Sequence, residues 1–237
     1  MRKKRRSTNK HLPRGLAILY EDSDILVANK PAGLLTMGTD SNKSGTAYYI
    51  LTDYVRKGCT KSPNRIFIVH RLDKETSGIL VFAKNQETKL ALQAQWKDTE
   101  KKYLAVVYGS PAKKADTITS YLTENKAYVV YSTSDSTKGK LAHTAYKVLK
   151  ETRQFSLLEV GLLTGRKNQI RVHLADKGHP VVGDKKYGKP KDVHNRLALH
   201  SKSISFKHPT SGRQMTFETK VPVYFSKLLG NNPDGLY

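Results

Sequence analysis

The sequence predicts an α+β fold with a mixed, largely antiparallel sheet and flanking helices. Many short runs rich in β-branched and aromatic residues are interspersed with only a few segments of helical periodicity, and the two kinds do not alternate strictly. The length of 237 residues is enough for one large domain with a sizeable buried core.

Strands dominate the first half of the predicted fold. Their Val, Ile, Leu and Tyr content, bounded by polar turns, is typical of short strands. The predicted strands are 16–20, 24–30, 65–69, 79–84 and 103–109. The first two flank Glu21, Asp22 and Ser23, which predicts a hairpin.

Two helices separate these strands. Apolar residues recur at helical spacing over 44–57, where Ser44 is the expected N-cap and Gly58 the expected end. A second helix is predicted over 86–98, with Asn85 as its cap.

The second half continues the mixed pattern. Several strands are predicted over 115–160, including 128–132, 143–150 and 155–160, and two more over 197–206 and 214–219. One short helix is predicted over 167–177 and ends at Gly178, just after the polar segment Thr164-Gly165-Arg166.

The charge predicts an acidic macromolecular partner. The formal net charge is +22, and seven basic residues lie in the first 14, which contain no acidic residue. The remaining 15 units belong to the rest of the chain, so the body is basic as well. We therefore expect a flexible basic arm over 1–15, a domain over 16–225 and a tail over 226–237, with nucleic acid as the partner.

Composition excludes several other classes. The single cysteine, Cys59, permits no internal disulfide and no cysteine-based zinc site, which is consistent with a reducing, cytoplasmic location. No apolar run approaches the roughly 18 residues of a membrane span, and no apolar segment follows the basic N-terminus as in a signal peptide. We expect a monomer that binds no membrane.

The segment HRLDKETSG, residues 70–78, is a charged loop between two predicted strands. Loops held by rigid strands often carry the chemistry of a protein. Asp73 lies between Arg71 and Lys74 in sequence, and such cations favour an ionised carboxylate. From the residues alone, the loop is either a reactive site or a surface turn with a local ion pair worth about 0–1 kcal/mol.

This loop resembles the signature of the RluA-type RNA pseudouridine synthases. Four further segments are similar to motifs of that family and occur in the family's order: 18–36, 101–109, 162–188 and 197–212. The resemblance implies the family's catalytic fold, and an enzyme that flips a uridine out of its stack and isomerises it to pseudouridine in ribosomal or transfer RNA. Since only about 15 residues precede the first motif, it also implies a short form without the S4 RNA-binding domain.

The resemblance implies a catalytic role for three residues. Asp73 would be the catalytic carboxylate, acting either as a nucleophile at C1′ or as a base on the ribose 2′ proton. Tyr103 would pack against the flipped uracil and assist proton movement at C5. Arg171 would form a salt bridge that keeps Asp73 charged and fixes its rotamer.

Three further residues are expected to bind substrate. Arg71 would fill the space left by the flipped base, the alternative being a surface arginine paired with Glu75. Arg166 would bind phosphate, and Leu174 would touch the base unless it is an ordinary core residue. Lys167 and Asn168 depart from the Ser-His pair of many family members, which puts local RNA contacts in doubt.

No cofactor is expected, because the isomerisation gains and loses no atoms. His70, His173 and His200 lack the spacing of a metal site, so no metal is expected. The main alternative is a catalytically silent RNA-binding protein of ribosome assembly on the same fold. A metal-dependent nuclease is disfavoured because the sequence has no suitable carboxylate cluster.

Overall fold

The structure is a computed structural model that describes residues 15–38 and 44–230. Residues 1–14 of the predicted arm and 231–237 of the predicted tail lie outside this range. The strands are β1 (Ala17–Glu21), β2 (Ile25–Lys30), β3 (Phe67–Ile68), β4 (Ser77–Ala83), β5 (Glu100–Tyr108), β6 (Ala115–Glu124), β7 (Val130–Thr133), β8 (Lys140–Glu151), β9 (Phe155–Leu162), β10 (Leu199–Lys207) and β11 (Gln214–Glu218). The helices are α1 (Ala47–Arg56), α2 (Gln86–Ala94), α3 (Gln169–Asp176) and α4 (Val223–Leu228).

All eleven strands of the described chain belong to one sheet, in the order β1-β2-β4-β10-β5-β9-β8-β6-β7. Strand β11 pairs with β10, and β3 pairs with β4. The β4–β10 pair is parallel, whereas the other pairs between these strands are antiparallel. The predicted α+β class with a mixed, largely antiparallel sheet is therefore confirmed.

Hydrophobic clusters cover both faces of the central strands. Leu26 and Leu80 belong to one cluster, to which α1, α3 and α4 contribute, and Val27 and Val81 belong to the other, to which α2 contributes Leu92. Alternate residues of β2 and β4 thus face opposite cores. Burial on both faces explains why these strands appear in the sequence as continuous apolar runs. No helix of the described ranges is long and apolar enough to cross a membrane.

Several element boundaries differ from the predictions. Helix α1 is capped by Thr46, whose hydroxyl accepts a hydrogen bond from the Tyr49 amide at 3.2 Å, rather than by Ser44. Strand β3 has two residues, whereas a strand over 65–69 was expected. Helix α4 was not predicted; it crosses residue 225, the expected end of the domain, and carries buried residues beyond it.

The loop before β4 is anchored where β4 pairs with β10. Gly78 has a φ of +111°, and a Cβ at this position would lie 2.2 Å from the carbonyl oxygen of Ser201. Only glycine accommodates both the backbone conformation and this approach. The geometry fixes the end of the 70–78 loop against the centre of the sheet.

A buried histidine joins the first hairpin to the last one. His208 Nδ1 accepts hydrogen bonds from the amides of Thr210 and Ser211, so its Nε2–H donates to Asp22 Oδ2 at 3.0 Å. Asp24 lies close to this pair. Both ring nitrogens of His208 are engaged in hydrogen bonds. We therefore interpret the group of Asp22, Asp24 and His208 as a structural link between the β1–β2 and β10–β11 turns.

A second buried histidine links β4, β10 and the segment after β11. His200 Nδ1 lies 2.8 Å from Ser77 Oγ, and its Nε2 lies 2.8 Å from Thr219 Oγ1. Burial lowers the pKa of His200 to about 4, and neighbouring cations act in the same direction. Burial likewise lowers the pKa of His173 to about 4 and of His70 to about 3.

Because of these three histidines, we expect acid to lower the free energy of unfolding of the protein. Their unfolded-state pKa is about 6.5. As the pH falls below this value, the unfolded chain binds protons that the folded chain does not bind, down to about pH 4 for His200 and His173 and about pH 3 for His70. The stabilisation is fully present above pH 6.5 and is lost over that window. Lowering the pH from 7 to 5 should cost about 2 kcal/mol of unfolding free energy per histidine, measured by urea denaturation. A His200→Gln variant should show a shallower pH dependence; an equally steep one would contradict this origin.

Candidate active site

The 70–78 loop and helix α3 meet at a carboxylate. Asp73 Oδ2 accepts one hydrogen bond from Arg171 Nη1 at 3.0 Å and another from Asn168 Nδ2 at 2.7 Å. Within the described ranges, neither of these donors, nor any other side chain, hydrogen bonds to Asp73 Oδ1. The side chain of Asp73 is 32% exposed. One oxygen is therefore held in place, while the other is available to a ligand.

Arg171 is itself held by a second carboxylate. Its Nε and Nη2 donate to Asp184 Oδ2 and Oδ1 at 2.8 and 2.7 Å, a bidentate arrangement. The Asp184 side chain is fully buried and also accepts hydrogen bonds from the amides of Lys186 and Tyr187. Asp184 thus aims the remaining guanidinium nitrogen at Asp73.

Electrostatics keep the pair of Arg171 and Asp184 ionised. Burial by itself raises the pKa of Asp184, but its hydrogen bonds and the charge of Arg171, together with two backbone amides, outweigh burial and hold the pKa below its usual value. Burial opposes the charge of Arg171, yet Asp184 and Asp73 raise the pKa of Arg171 above its usual value. Arg171 is consequently a permanent cation beside Asp73.

Asn168 is the second donor to Asp73. It precedes α3 in a left-handed conformation, with a φ of 53°, which explains why the helix begins at Gln169 rather than at 167 as predicted. Tyr187 Oη donates to Asn168 Oδ1 at 3.2 Å, so the amide presents its Nδ2 to Asp73. The departure from the expected motif at this position therefore touches the carboxylate itself, not only local RNA contacts.

Asn168 predicts a measurable effect on turnover. Losing a hydrogen bond to a charged group costs about 1.5–3 kcal/mol, so Asn168→Ala should lower kcat about 10- to 100-fold with little change in KM. Asn168→His, which restores a ring N–H donor, should recover part of the loss, and Lys177→Ala, at an exposed position at the other end of α3, serves as the control. An unchanged kcat in Asn168→Ala would contradict this positioning role.

Tyr103 lies on β5 with 7% of its surface exposed. Burial raises its pKa to about 12; a hydrogen bond with Ser201 lowers it, and the negative charge of Asp73 raises it. The hydroxyl is therefore neutral at pH 7 and lies within the electrostatic influence of the carboxylate. Tyr103 also belongs to the main hydrophobic cluster, so it is a core residue on which the charge of Asp73 acts.

Arg71 and Arg166, two of the expected substrate-binding residues, are both exposed but differ in their hydrogen bonds. Arg71 is exposed beside Asp73 in the loop, and no salt bridge joins it to Glu75 within the part of the chain that the structure describes. Arg166 is also exposed, but its backbone amide donates to Gln169 Oε1 and its Nε to the Leu141 carbonyl. This amide is thus unavailable to a phosphate.

Leu174 does not reach the site. It is 1% exposed and packs within the main hydrophobic cluster. Its side chain presents no surface to a bound base in this structure, which favours the alternative of ordinary core packing.

Lys30 supports the 70–78 loop and was not anticipated. It is fully buried, and its Nζ donates to the carbonyls of Pro31, Leu34 and Lys74 at 2.9, 2.7 and 3.0 Å. Burial lowers its pKa to about 8, against the opposing charges of Glu75 and Asp73. Lys30 fixes the backbone next to Asp73. Its only sequence signal is its position in the motif over 18–36.

Comparison with known proteins gives consistent matches. Residues 24–176 match the family model described as RNA pseudouridylate synthase. The chain is 36% identical over 217 residues to ribosomal large subunit pseudouridine synthase C of Rickettsia bellii, covering 89% of this chain and 70% of that protein. It is 37% identical over 227 residues to the uncharacterized RNA pseudouridine synthase YlyB of Bacillus subtilis, covering 92% and 73%.

The fold has a close structural counterpart. The solved structure titled human RNA pseudouridylate synthase domain containing 4 superposes with a TM-score of 0.75 and 25% sequence identity. The match covers 90% of this chain and 92% of that one. Sequence and structure comparisons thus point to the same family.

Proposed function

We propose that Asp73 is the catalytic carboxylate of this chain, which belongs to the RNA pseudouridylate synthase family. The chain is an RNA pseudouridine synthase, an isomerase. The observation that carries the proposal is the one-sided anchoring of Asp73. Oδ2 is held by Arg171 and Asn168, and Oδ1 takes no hydrogen bond from the described residues.

Isomerisation breaks the bond between ribose C1′ and uracil N1 and forms a bond between C1′ and C5. No atoms are gained overall; the hydrogen on C5 is lost as a proton and N1 gains one. An ionised carboxylate supports this chemistry either as a nucleophile at C1′ or as a base on the 2′ proton. Both roles use the Oδ1 atom of Asp73, while the hydrogen bond from Arg171 to Oδ2 keeps the carboxylate oriented.

Tyr103 is proposed to contact the detached base. Its side chain is buried, the charge of Asp73 acts on it, and its hydroxyl remains protonated at neutral pH. A neutral phenol can pass a proton at C5 without carrying a charge into the site. These properties support the catalytic role implied by the sequence resemblance.

RNA binding is proposed to depend on the basic surface. Exposed Arg71 lies beside Asp73 and can stack in place of a flipped base, and exposed Arg166 offers a side chain to a phosphate. We propose that the arm over 1–15, almost all of it outside the described residues, adds phosphate contacts that make affinity salt-dependent. The domain over 16–225 would supply the remaining contacts.

The proposed substrate is ribosomal RNA of the large subunit. Relatives that match most of this chain are named ribosomal large subunit pseudouridine synthases. Transfer RNA is the second candidate. The substrate and the single cysteine also support a cytoplasmic enzyme, which we propose acts as a monomer. Family membership favours an enzyme over the catalytically silent RNA-binding alternative.

Mapping pseudouridine in total RNA, with and without the gene, tests this function. One or a few uridines of large-subunit RNA should lose the modification in the absence of the gene and regain it on complementation. Loss confined to transfer RNA would reassign the substrate. Identical maps in both strains would contradict the proposed function.

A further inference from the structure

The loop between β6 and β7 presents an aromatic ring to solvent. Tyr128 is 72% exposed and has a φ of +58°, a left-handed conformation that a residue with a Cβ rarely adopts. The β6–β7 turn accounts for this conformation: the Tyr128 amide donates to the Asn125 carbonyl and the Asn125 amide to the Val129 carbonyl, as in hairpin loops with one left-handed residue. The turn does not, however, require a large aromatic side chain at this exposed position.

The loop that carries Tyr128 is rigidly hydrogen bonded. Asn125 Oδ1 accepts from the amides of Ala127 and Val129 at 3.0 Å each, and the Asn125 carbonyl accepts from the Tyr128 amide at 2.9 Å. Lys186 Nζ donates to the Tyr128 carbonyl at 2.6 Å. The ring is therefore held in a defined position before any ligand binds, which lowers the entropy cost of binding.

One lysine lies over the exposed ring, and a second contacts the backbone of the loop. Lys167 Nζ lies 5.5 Å from the Tyr128 ring centroid and forms a salt bridge with Glu124. Lys186 Nζ, which donates to the Tyr128 carbonyl, lies 5.6 Å from the Tyr187 ring centroid. An aromatic face flanked by lysines matches a nucleotide, whose base stacks and whose phosphate is anionic.

The loop is connected to the catalytic carboxylate. The Val130 amide, two residues after Tyr128, donates to Tyr187 Oη at 3.1 Å, and Tyr187 Oη donates to Asn168 at 3.2 Å. Asn168 in turn donates to Asp73. Three successive hydrogen bonds thus join the strand after the loop to the reacting group, and Lys167, which lies over the Tyr128 ring, is the chain neighbour of Asn168.

We propose that Tyr128 is a stacking platform for an unpaired base of the RNA that flanks the target uridine, with Lys167 and Lys186 contacting its phosphates. The proposal rests on the function proposed above and deepens it. Since every base has an aromatic face, the platform would tolerate any neighbouring nucleotide and would contribute affinity rather than sequence specificity.

The test measures binding of the full chain to a fluorescein-labelled single-stranded oligoribonucleotide of about ten nucleotides with one uridine, a length within the usual site sizes for single strands. Tyr128→Ala should bind about tenfold more weakly, because stacking on one aromatic residue contributes about this much. Tyr128→Phe should bind as the wild type does. Tyr131→Ala is the matched control, since Tyr131 is also exposed but lies on the face of β7 opposite buried Val130.

Thermal unfolding separates this role from a structural one. Tyr128→Gly relieves the left-handed backbone and should raise the melting temperature by about 2–4 °C while binding as weakly as Tyr128→Ala. Equal affinity of Tyr128→Ala and wild type, an equal loss in Tyr131→Ala, or no binding by the wild type would overturn the platform. Pseudouridine formation is assayed separately. A protein that binds the RNA through Tyr128 but does not isomerise it would refute the proposed function and leave the stacking platform standing.

Discussion

Replacing Asp73 by asparagine is expected to reduce pseudouridine formation by at least about 10²- to 10⁴-fold while leaving RNA affinity nearly unchanged. The amide is almost isosteric, and its oxygen still accepts from Arg171 and Asn168. It is neither a nucleophile nor a base at neutral pH, so the chemistry is lost while the geometry is kept. The measurement is pseudouridine formed per enzyme in a large-subunit RNA transcript, with affinity determined in parallel.

Two controls make the Asp73 result specific. The free energy of unfolding of Asp73→Asn should match that of the wild type, because Asp73 is partly exposed and Asp184 still neutralises Arg171. Asp53, an exposed acidic residue on α1, gives a matched Asp53→Asn variant that should keep full turnover. Turnover of Asp73→Asn within tenfold of the wild type would contradict the assignment of Asp73.

Replacing Arg171 by methionine is expected to damage stability and turnover together. It leaves the fully buried carboxylate of Asp184 without its cation, and breaking a buried pair in this way costs about 3–5 kcal/mol. Asp73 also loses a charged partner at 3.0 Å, so turnover should fall by more than about tenfold. Urea unfolding and single-turnover kinetics of the purified variant measure the two effects.

A double variant separates the two consequences. Arg171→Met combined with Asp184→Asn removes the uncompensated charge, so much of the lost stability should return. Turnover should stay low, because Asp73 still lacks the guanidinium. A double variant that regains turnover along with stability would show that Arg171 acts only through the fold.

Local patterns predicted the central elements well, and their physical cause is visible in the structure. The continuous apolar runs that became β2 and β4 are buried on both faces. Asn85 caps α2 as predicted, accepting a hydrogen bond from the Thr88 amide at 2.7 Å. These features depend on residues that are close together in the sequence, so a local sequence pattern is enough to predict them.

Elements with weak local signals were harder to predict. Strand β6 lies in the 115–160 stretch that is predicted to hold several strands, but its alternating threonines and exposed polar residues did not define its bounds. Helix α4 is short and follows Pro222, and it is stabilised mainly by burying Phe225. Helix α3 begins at Gln169 rather than at 167, because Asn168 is left-handed and its side chain donates to Asp73. This tertiary contact overrides the helical propensity of the segment.

The candidate site could be predicted only in part. Resemblance to a family placed Asp73, Tyr103 and Arg171, and the structure brings Arg171 to 3.0 Å from Asp73. Asp184 was missed, since a buried aspartate far from the loop has no local signature before its arginine partner is located. Lys30 was missed for a related reason: lysine is rarely buried, and only the carbonyls that surround it in the fold make its burial possible.

The most direct test uses total RNA extracted from a strain that lacks the gene. Purified wild-type protein and Asp73→Ala protein are incubated with this RNA, and pseudouridine is mapped at single-nucleotide resolution. We predict that the wild type restores the missing pseudouridine at its specific uridines and that Asp73→Ala restores none while still binding the RNA. Restoration by Asp73→Ala would contradict the central role of this carboxylate.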